Sequence, residues 1–441
     1  MENKYFESLY PPESRDRELS EIVGYIREGN SSQIIGIPGV GRTNLLGLLA
    51  YNREVRLRHF PTRHGIVHFV MVNFSEVKYR TFPDVVKFLF LCLGNSLRER
   101  SMTKEYEKVD NAFKNALSYN DELVIAQELK NAIDFLAIGK KLTIIFLFDR
   151  FDDYTPHVSE DFFTLLRSLR DRAKYRFSAV FSLSHPLDDM ADSEVVADFS
   201  DFIRGHEIYL SLYDKASIDF RISYLEKITA KTLPEGIKKE TKLLTGGHMR
   251  LMKVCSEALL AQGEVKDFPP FLLGQKAVLS ALVSIWKTFT PSEQACLSDL
   301  AIKQSCDEEI DYLLRVGIRE GDKIAIPLVK EAIAQGLLAK SDEKFVFDVT
   351  TNTIKKGEMV VSDILSKGEY RLFSYLLSRQ NEIIEREAIV DHVWGEEKST
   401  AGVTEQAIDQ LLFRLRRKIE DDPDNPQHLH IIKGRGVRFS Q

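Results

Sequence analysis

A chain of 441 residues with 44% hydrophobic and 29% charged residues has the apolar content for two to four folded cores, which excludes a disordered or low-complexity protein. Its 60 Lys and Arg against 66 Asp and Glu leave a net charge of -6, so any nucleic-acid contact must come from a local basic patch. No apolar leader follows Met1 and the longest apolar runs, such as residues 142–148, are too short to cross a bilayer. A cytoplasmic protein with no membrane partner is therefore expected.

In chain order, Ser14-Arg15-Asp16-Arg17-Glu18-Leu19 opens an amphipathic helix, and residues 32–36 read as a short buried strand. A helix follows over residues 44–51, a strand over 65–73 and a long helix over 82–100. Residues 104–120 are polar and predict a helical excursion. Residues 142–149 form a fully apolar strand ending in a carboxylate, residues 162–175 a helix, and residues 177–184 another buried strand. Strands that do not alternate, separated by helices, predict a parallel sheet covered on both faces. From about Leu210 the pattern is helical. Residues 279–339 predict a small helical domain with a hairpin near Gly321-Asp322-Lys323, a candidate winged helix in its own right.

Between the first strand and its helix stands Gly36-Ile37-Pro38-Gly39-Val40-Gly41-Arg42-Thr43, which fits G-x4-G-K-[ST] with arginine in place of lysine. Glycines there let backbone N–H groups turn toward a phosphate, and the helix N-terminus adds its partial positive charge. Gly36, Pro38, Gly39, Val40, Gly41, Arg42, Thr43 and the adjoining Asn44 are the expected nucleotide-binding residues. The Thr43 hydroxyl would face Mg²⁺. Arg42 keeps the charge of the usual lysine, but its fork is bulkier and differently aimed. Binding of ATP or ADP is expected, with slow or absent hydrolysis. Asp149, at the end of the apolar strand, is the expected magnesium carboxylate and a candidate catalytic residue.

The last forty residues carry the other chemistry. Ile408, Leu412, Leu415 and Ile419 fall on one face of a helix. Gln406, Gln410, Phe413, Arg416 and Arg417 are expected on the other, with Thr404 before the helix and Arg414 among its cations. A hairpin follows, Ile431-Ile432-Lys433-Gly434-Arg435-Gly436-Val437-Arg438-Phe439, whose tip offers Lys433, Arg435 and Arg438. A helix with an arginine-rich free face beside a basic hairpin is how a winged helix holds double-stranded DNA.

Two resemblances cover most of the chain. Residues 343–439 resemble the effector domain of OmpR/PhoB-type response regulators. The likeness runs through the strands 344–348 and 358–361, Leu365-Ser366-Lys367-Gly368-Glu369-Tyr370-Arg371-Leu372-Phe373, the segment 386–395 and the Gly-Arg-Gly wing. Phe413 stands where a polar residue is usual, and Val437 replaces a common tyrosine. Residues 9–262 resemble STAND-class and origin-recognition-type AAA+ ATPases. That likeness implies that Arg15 lies near the adenine, that Ser184 faces the γ-phosphate, and that His248 or Arg250 of Thr245-Gly246-Gly247-His248-Met249-Arg250 approaches the nucleotide from a helical lid. Arg150 occupies the position of the family's catalytic glutamate, which leaves Asp152 or Asp153 to orient water.

The fold expected is multidomain α/β plus α. It comprises a P-loop parallel-sheet ATPase core (1–208), a helical lid (209–272), a helical or winged-helix domain (273–342) and an OmpR-like winged helix (343–441). The function expected is a nucleotide-controlled DNA-binding transcription regulator. The alternative is a DNA-binding ATPase of an antiphage defence, DNA-loading or transposition complex. A second copy of the chain, an effector protein or RNA polymerase are the protein partners these resemblances imply. The four cysteines, Cys92, Cys255, Cys296 and Cys306, lack C-x-x-C spacing and read as scattered thiols of a reducing compartment.

Overall fold

The computed structural model describes residues 5–61, 66–119, 121–191, 193–262, 265–306, 309–338, 344–348, 351–356, 359–395, 405–420, 423, 426–432 and 435–440. It divides into two compact units, Met1–Ala339 and Lys340–Gln441. Among the described residues, no helix is long and apolar enough to cross a membrane.

The first unit is a P-loop α/β fold. Five parallel strands, β1 (Ser32–Ile35), β2 (Val67–Asn73), β3 (Thr143–Asp149), β4 (Phe177–Leu183) and β5 (Glu207–Tyr209), stand in the order β2-β3-β4-β1-β5. Every residue of β1 and β4 is buried, as expected of strands covered on both faces. Apolar residues cluster on each side of the sheet. One cluster holds the aromatic stack of Phe74, Phe148, Phe151, Phe162 and Phe181. The other runs from Tyr10 through β1 and on to Leu338, so residues 209–338 share a core with the strand that feeds the phosphate loop.

After β5 the chain is helical, with helices Lys215–Thr229, Glu235–Thr245 and Met249–Gln262. Gly246, at φ +58, ends the second of these, and an added Cβ would meet the Ala325 carbonyl at 2.4 Å. Helices Lys276–Trp286, Pro291–Ile302, Asp311–Arg315 and Pro327–Ala334 follow, with a hairpin of β6 (Arg319–Glu320) and β7 (Lys323–Ile324) turning at Gly321. The expected hairpin lies there. Helix Pro291–Ile302 starts with a capping box in which Thr290 and Glu293 satisfy each other's backbone amides.

The second unit is a winged helix. A three-stranded antiparallel sheet, β8 (Phe345–Asp348), β9 (Thr353–Lys356) and β10 (Met359–Val360), precedes helices Lys367–Ser378, Arg386–Trp394 and Glu405–Ile419. A second sheet, β11 (Ile383–Ile384), β13 (Gly436–Phe439) and β12 (Leu429–Ile432), forms the wing. Here too a capping box, Ser366 with Glu369, starts a helix. Glu369 also accepts a hydrogen bond from Lys418 Nζ at 2.8 Å.

Candidate functional site

β1 delivers the chain into the phosphate loop, and the helix Arg42–Tyr51 leaves it. Gly39 and Gly41 take φ of +89 and +113, which favour glycine and explain why the loop is built from it. Thr43 Oγ1 donates to Asp149 Oδ1 at 2.9 Å and stands 3.1 Å from Oδ2. Asp149 is only 3% exposed. Burial raises its pKa, against the lowering effects of the Thr43 hydrogen bond and the Arg42 charge. A buried carboxylate whose ionisation is opposed, held beside a hydroxyl, fits a hard cation. Among the described residues no cluster of three or more His, Cys, Asp or Glu could hold a metal alone. A cleft of about 1350 Å³ opens on Thr43 and Asp149 and is lined also by Asn73, Glu76, Arg53 and Arg56.

Arg42, where lysine is usual, points at Asp152: Nη1 lies 2.8 Å from Oδ2. The contact is a Coulombic one without hydrogen-bond alignment at Nη1. Asp152 Oδ1 accepts the Ser184 amide at 2.6 Å and the Ser184 hydroxyl at 3.1 Å. The Ser184 carbonyl in turn accepts the Tyr312 hydroxyl at 2.7 Å. The Tyr312 ring stacks on His185 at 4.0 Å, and His185 Nε2 lies 3.2 Å from Glu293. A polar relay therefore runs from the phosphate loop, across the end of β4, to helices Asp311–Arg315 and Pro291–Ile302. Asp153 is turned away, 3.1 Å from Arg150 and 4.0 Å from Lys78. In this conformation neither aspartate stands free to orient water.

Residues His248 and Arg250, at the start of helix Met249–Gln262, pack against the other side of the loop. The Arg250 amide donates to the Gly39 carbonyl at 3.1 Å, and His248 Nε2 lies 3.1 Å from the Pro38 carbonyl. His248 is fully buried, and burial pushes its pKa down to about 3, so it is neutral and its Nε2 is the donor. Its Nδ1 accepts the Leu251 amide at 3.3 Å, which fixes the tautomer. The Arg250 side chain itself is exposed. Met249 is buried, and a Cβ on Gly41 would lie 3.5 Å from its methyl. Arg15, at φ +55 and 2% exposed, donates to the Val40 and Ser211 carbonyls at 2.7 Å each and pairs with Glu18 at 3.3 Å. Three consecutive loop carbonyls, those of Pro38, Gly39 and Val40, are thus held by the chain's own groups. Gly36 begins this turn at the end of β1. The Asn44 side-chain amide donates to the Tyr10 hydroxyl at 3.2 Å.

Tyr312, His185 and Glu293 carried no role in the sequence. Glu293's partner His185 is 108 residues away, and no local pattern connects them.

The helix Glu405–Ile419 buries Ile408, Leu411, Leu412, Leu415 and Ile419 and exposes Gln406, Gln410, Phe413, Arg414 and Arg417. Phe413 is 55% exposed, and the Arg417 guanidinium lies 5.6 Å from its ring centre. Arg416 corrects the expectation of a free cation. It is half-buried, and its Nη2 donates to the Leu429 carbonyl of β12 at 2.9 Å. Residue 416 follows the buried Leu415 by about 100° around the helix, at the edge of the apolar stripe, so its stem packs and its head reaches the wing. Arg435 is exposed at the wing turn and Arg438 is half-buried in β13. Thr404 and Lys433 lie outside the described residues.

The cysteine expectation is also corrected. Cys296 and Cys306 are paired as a disulfide with their Cα atoms 5.5 Å apart, while Cys92 and Cys255 are free thiols. The pairing joins a helix to the loop after it, a proximity that ten residues of separation do not announce.

Residues 363–439 match the family model described as transcriptional regulatory protein, C terminal, and the second unit is a domain of that family. Curated relatives include the sensory transduction protein RegX3 of Mycobacterium tuberculosis, 28% identical over 141 residues, which are 32% of this chain and 57% of RegX3. Another is the regulatory protein VirG of Rhizobium rhizogenes, 30% identical over 149 residues, covering 30% of this chain and 60% of VirG. The chain therefore spans less than two thirds of either relative. Among solved structures, a Walker-type ATPase of Pyrococcus abyssi aligns at TM-score 0.44 and 15% identity, covering 73% of this chain and 95% of that one. The Aeropyrum pernix ORC1 protein in complex with DNA aligns at TM-score 0.36 and 13% identity, covering 78% and 88%.

Proposed function

We propose that this protein is a nucleotide-responsive, DNA-binding transcription regulator. In this reading ATP or ADP with Mg²⁺ is held by the phosphate loop and lid of the first unit, and double-stranded DNA by the winged helix of the second. The observation that carries it is the occupation of the phosphate loop by the chain's own groups: Arg42 faces Asp152, and the lid holds the carbonyls of Pro38 and Gly39. A loop held in this way is arranged to exchange internal partners for a nucleotide, which is what a switch of the STAND kind requires. Mg²⁺, when bound, would neutralise phosphate charge beside Thr43 and Asp149. Arg42 would turn from Asp152 to a phosphate oxygen, releasing Asp152 and Ser184.

Hydrolysis is slow or absent in this reading. Arg150 carries no carboxylate, and Asp152 is engaged by Arg42 and Ser184. Nucleotide then acts through its different contacts in two states of the chain, a shift of populations and not a turnover cycle. Assembly with further copies of the chain, and contact with RNA polymerase or an effector protein, belong to the same proposal.

Two measurements test it. Fluorescent ATP and ADP analogues should bind with Mg²⁺ and lose affinity on Asp149→Ala; no change would remove the phosphate-loop assignment. ATP turnover should stay slow with duplex DNA present. Fast, DNA-stimulated turnover would instead support a DNA-loading or remodelling ATPase. Linkage supplies a further check: whatever factor nucleotide applies to DNA affinity, DNA must apply to nucleotide affinity.

A further inference from the structure

The relay that ends the phosphate loop is anchored by two residues, Glu293 and Tyr312, on two helices. The disulfide Cys296–Cys306 joins the first of these helices to the connection that leads to the second. Cys296 lies three residues after Glu293 on the helix Pro291–Ile302 and is 3% exposed. Cys306 is half-buried in the connection that leads, six residues on, to Tyr312. Arg319 of β6 is set against both: its Nη1 lies 3.4 Å from Cys296 Sγ, and its Nη2 donates to the Cys306 carbonyl at 3.3 Å. Its Nε donates to the Gly321 carbonyl at 2.8 Å, which fixes the guanidinium in that place.

We propose that Cys296 and Cys306 are a reversible thiol-oxidation site, and that closing it holds Glu293 and Tyr312 on the end of β4. In the transcription-regulator reading above the chain works beside DNA in a reducing compartment, where disulfides are uncommon and, where present, are usually redox-sensing or catalytic. A cation beside one sulfur favours its thiolate, the form that carries out exchange. The other two cysteines lack this setting: burial pushes the Cys92 and Cys255 thiols up to about 12, which keeps them protonated and unreactive. The oxidant class is a low-molecular-weight disulfide. The Cys306 thiolate, the more exposed, attacks one sulfur of that disulfide and forms a mixed disulfide, releasing one thiolate. The Cys296 thiolate, beside Arg319, then attacks Cys306 Sγ, closing the protein disulfide and releasing the second thiolate. The two protein thiols lose two electrons and two protons, and the small disulfide becomes two thiols.

The consequence follows from where the loop sits. With the bond closed, the segment between Glu293 and Tyr312 has fewer conformations to lose when it docks on His185 and Ser184. Reduction loosens that segment, and with it the brace on Ser184, Asp152 and Arg42. The site thus sets how readily the phosphate loop gives up its internal partners, a step that rests on the nucleotide reading above.

The test uses the full chain, equilibrated with glutathione disulfide or with reduced glutathione. Alkylation and peptide mass spectrometry should show Cys296 and Cys306 protected together after oxidation and both alkylated after reduction. Both thiols alkylated after glutathione disulfide would overturn the site. Amide hydrogen exchange at residues 183–187 and 311–316 should be about tenfold faster in the reduced protein. A disulfide that forms without changing exchange there would overturn its hold on the relay. Cys306→Ser, at a half-buried position, should exchange at the reduced rate under both conditions. A fluorescent ATP analogue should bind more tightly to the reduced form. Failure to bind in either redox state would strike the nucleotide reading alone, because alkylation and exchange do not depend on it.

Discussion

The backbone oxygen of Gly39 accepts the Arg250 amide at 3.1 Å, so the lid closes on the phosphate loop main chain to main chain. An added Cβ at Gly39 would lie 2.7 Å from Arg250 Cβ and 3.0 Å from His248 Cε1, at a φ of +89 that side-chain-bearing residues rarely adopt. Gly39→Ala should therefore separate loop and lid. A loss of about 1–3 kcal/mol in denaturant unfolding is expected from the backbone strain, with faster proteolysis of residues 245–262. Unfolding and proteolysis indistinguishable from the parent protein would show that the closed contact does not persist in solution.

Arg42 faces Asp152 at 2.8 Å, so the aspartate competes with phosphate for the same guanidinium. Asp152→Asn removes the competing charge and keeps an acceptor for the Ser184 amide. Affinity for a fluorescent ATP analogue with Mg²⁺ should rise by about 1.5-fold to fivefold, the range of an ion pair partly screened by solvent. Arg42→Ala should lower it by about tenfold or more. The two shifts have opposite signs, which a general loss of stability cannot produce.

His248 carries the pH dependence of lid closure. Its folded pKa, about 3, lies below the ordinary 6.5 because burial disfavours the imidazolium. Between those values the unfolded chain binds a proton that the folded chain does not. Stability from this residue is complete above pH 6.5 and falls as pH drops toward 3. His68 is depressed in the same way, to about 3, and provides a background slope. His248→Gln should flatten the fall in melting temperature between about pH 7 and pH 5 relative to the parent. Parallel curves would refute the buried, neutral imidazole.

On the winged helix, Arg416 and Arg417 should behave differently although they are neighbours. Arg414→Ala and Arg417→Ala remove exposed cations. Each should weaken duplex binding, and the salt slope should fall by about one for every phosphate no longer neutralised. Arg416→Ala should chiefly lower the melting temperature, because its Nη2 ties the helix to Leu429 of the wing. A salt slope that drops with Arg416→Ala at unchanged melting temperature would restore it to the DNA face.

The features that depend on local pattern were legible. The phosphate loop declares itself through glycines at fixed spacing, β3 through an unbroken apolar run ending in Asp149, and the DNA helix through the period of Ile408, Leu412, Leu415 and Ile419. Departures from the common motifs were legible as identities but not as spatial neighbours. Arg42 could be read as a changed lysine, yet its partner Asp152 is chosen by the strand order, which sets the ends of β1, β4 and β3 side by side. Ser184, Tyr312, His185 and Glu293 meet only because residues 276–334 fold back onto that sheet. Arg416 was misplaced by a fraction of a helical turn, which is the difference between a side chain facing water and one reaching the wing. The cysteines lacked any motif because a helix end and a loop, not a spacing rule, set their distance.

Glu293 and Glu369 occupy the same place in two different helices, the third residue of a capping box, and each also grips a neighbour: His185 in one case, Lys418 in the other. One carboxylate thus starts a helix and moors it. Fraying of the first turn and release of the neighbour are thereby coupled through one side chain. Folding and engagement are fused at those two points. Replacement by glutamine, which can still cap, would be the gentlest way to pull them apart.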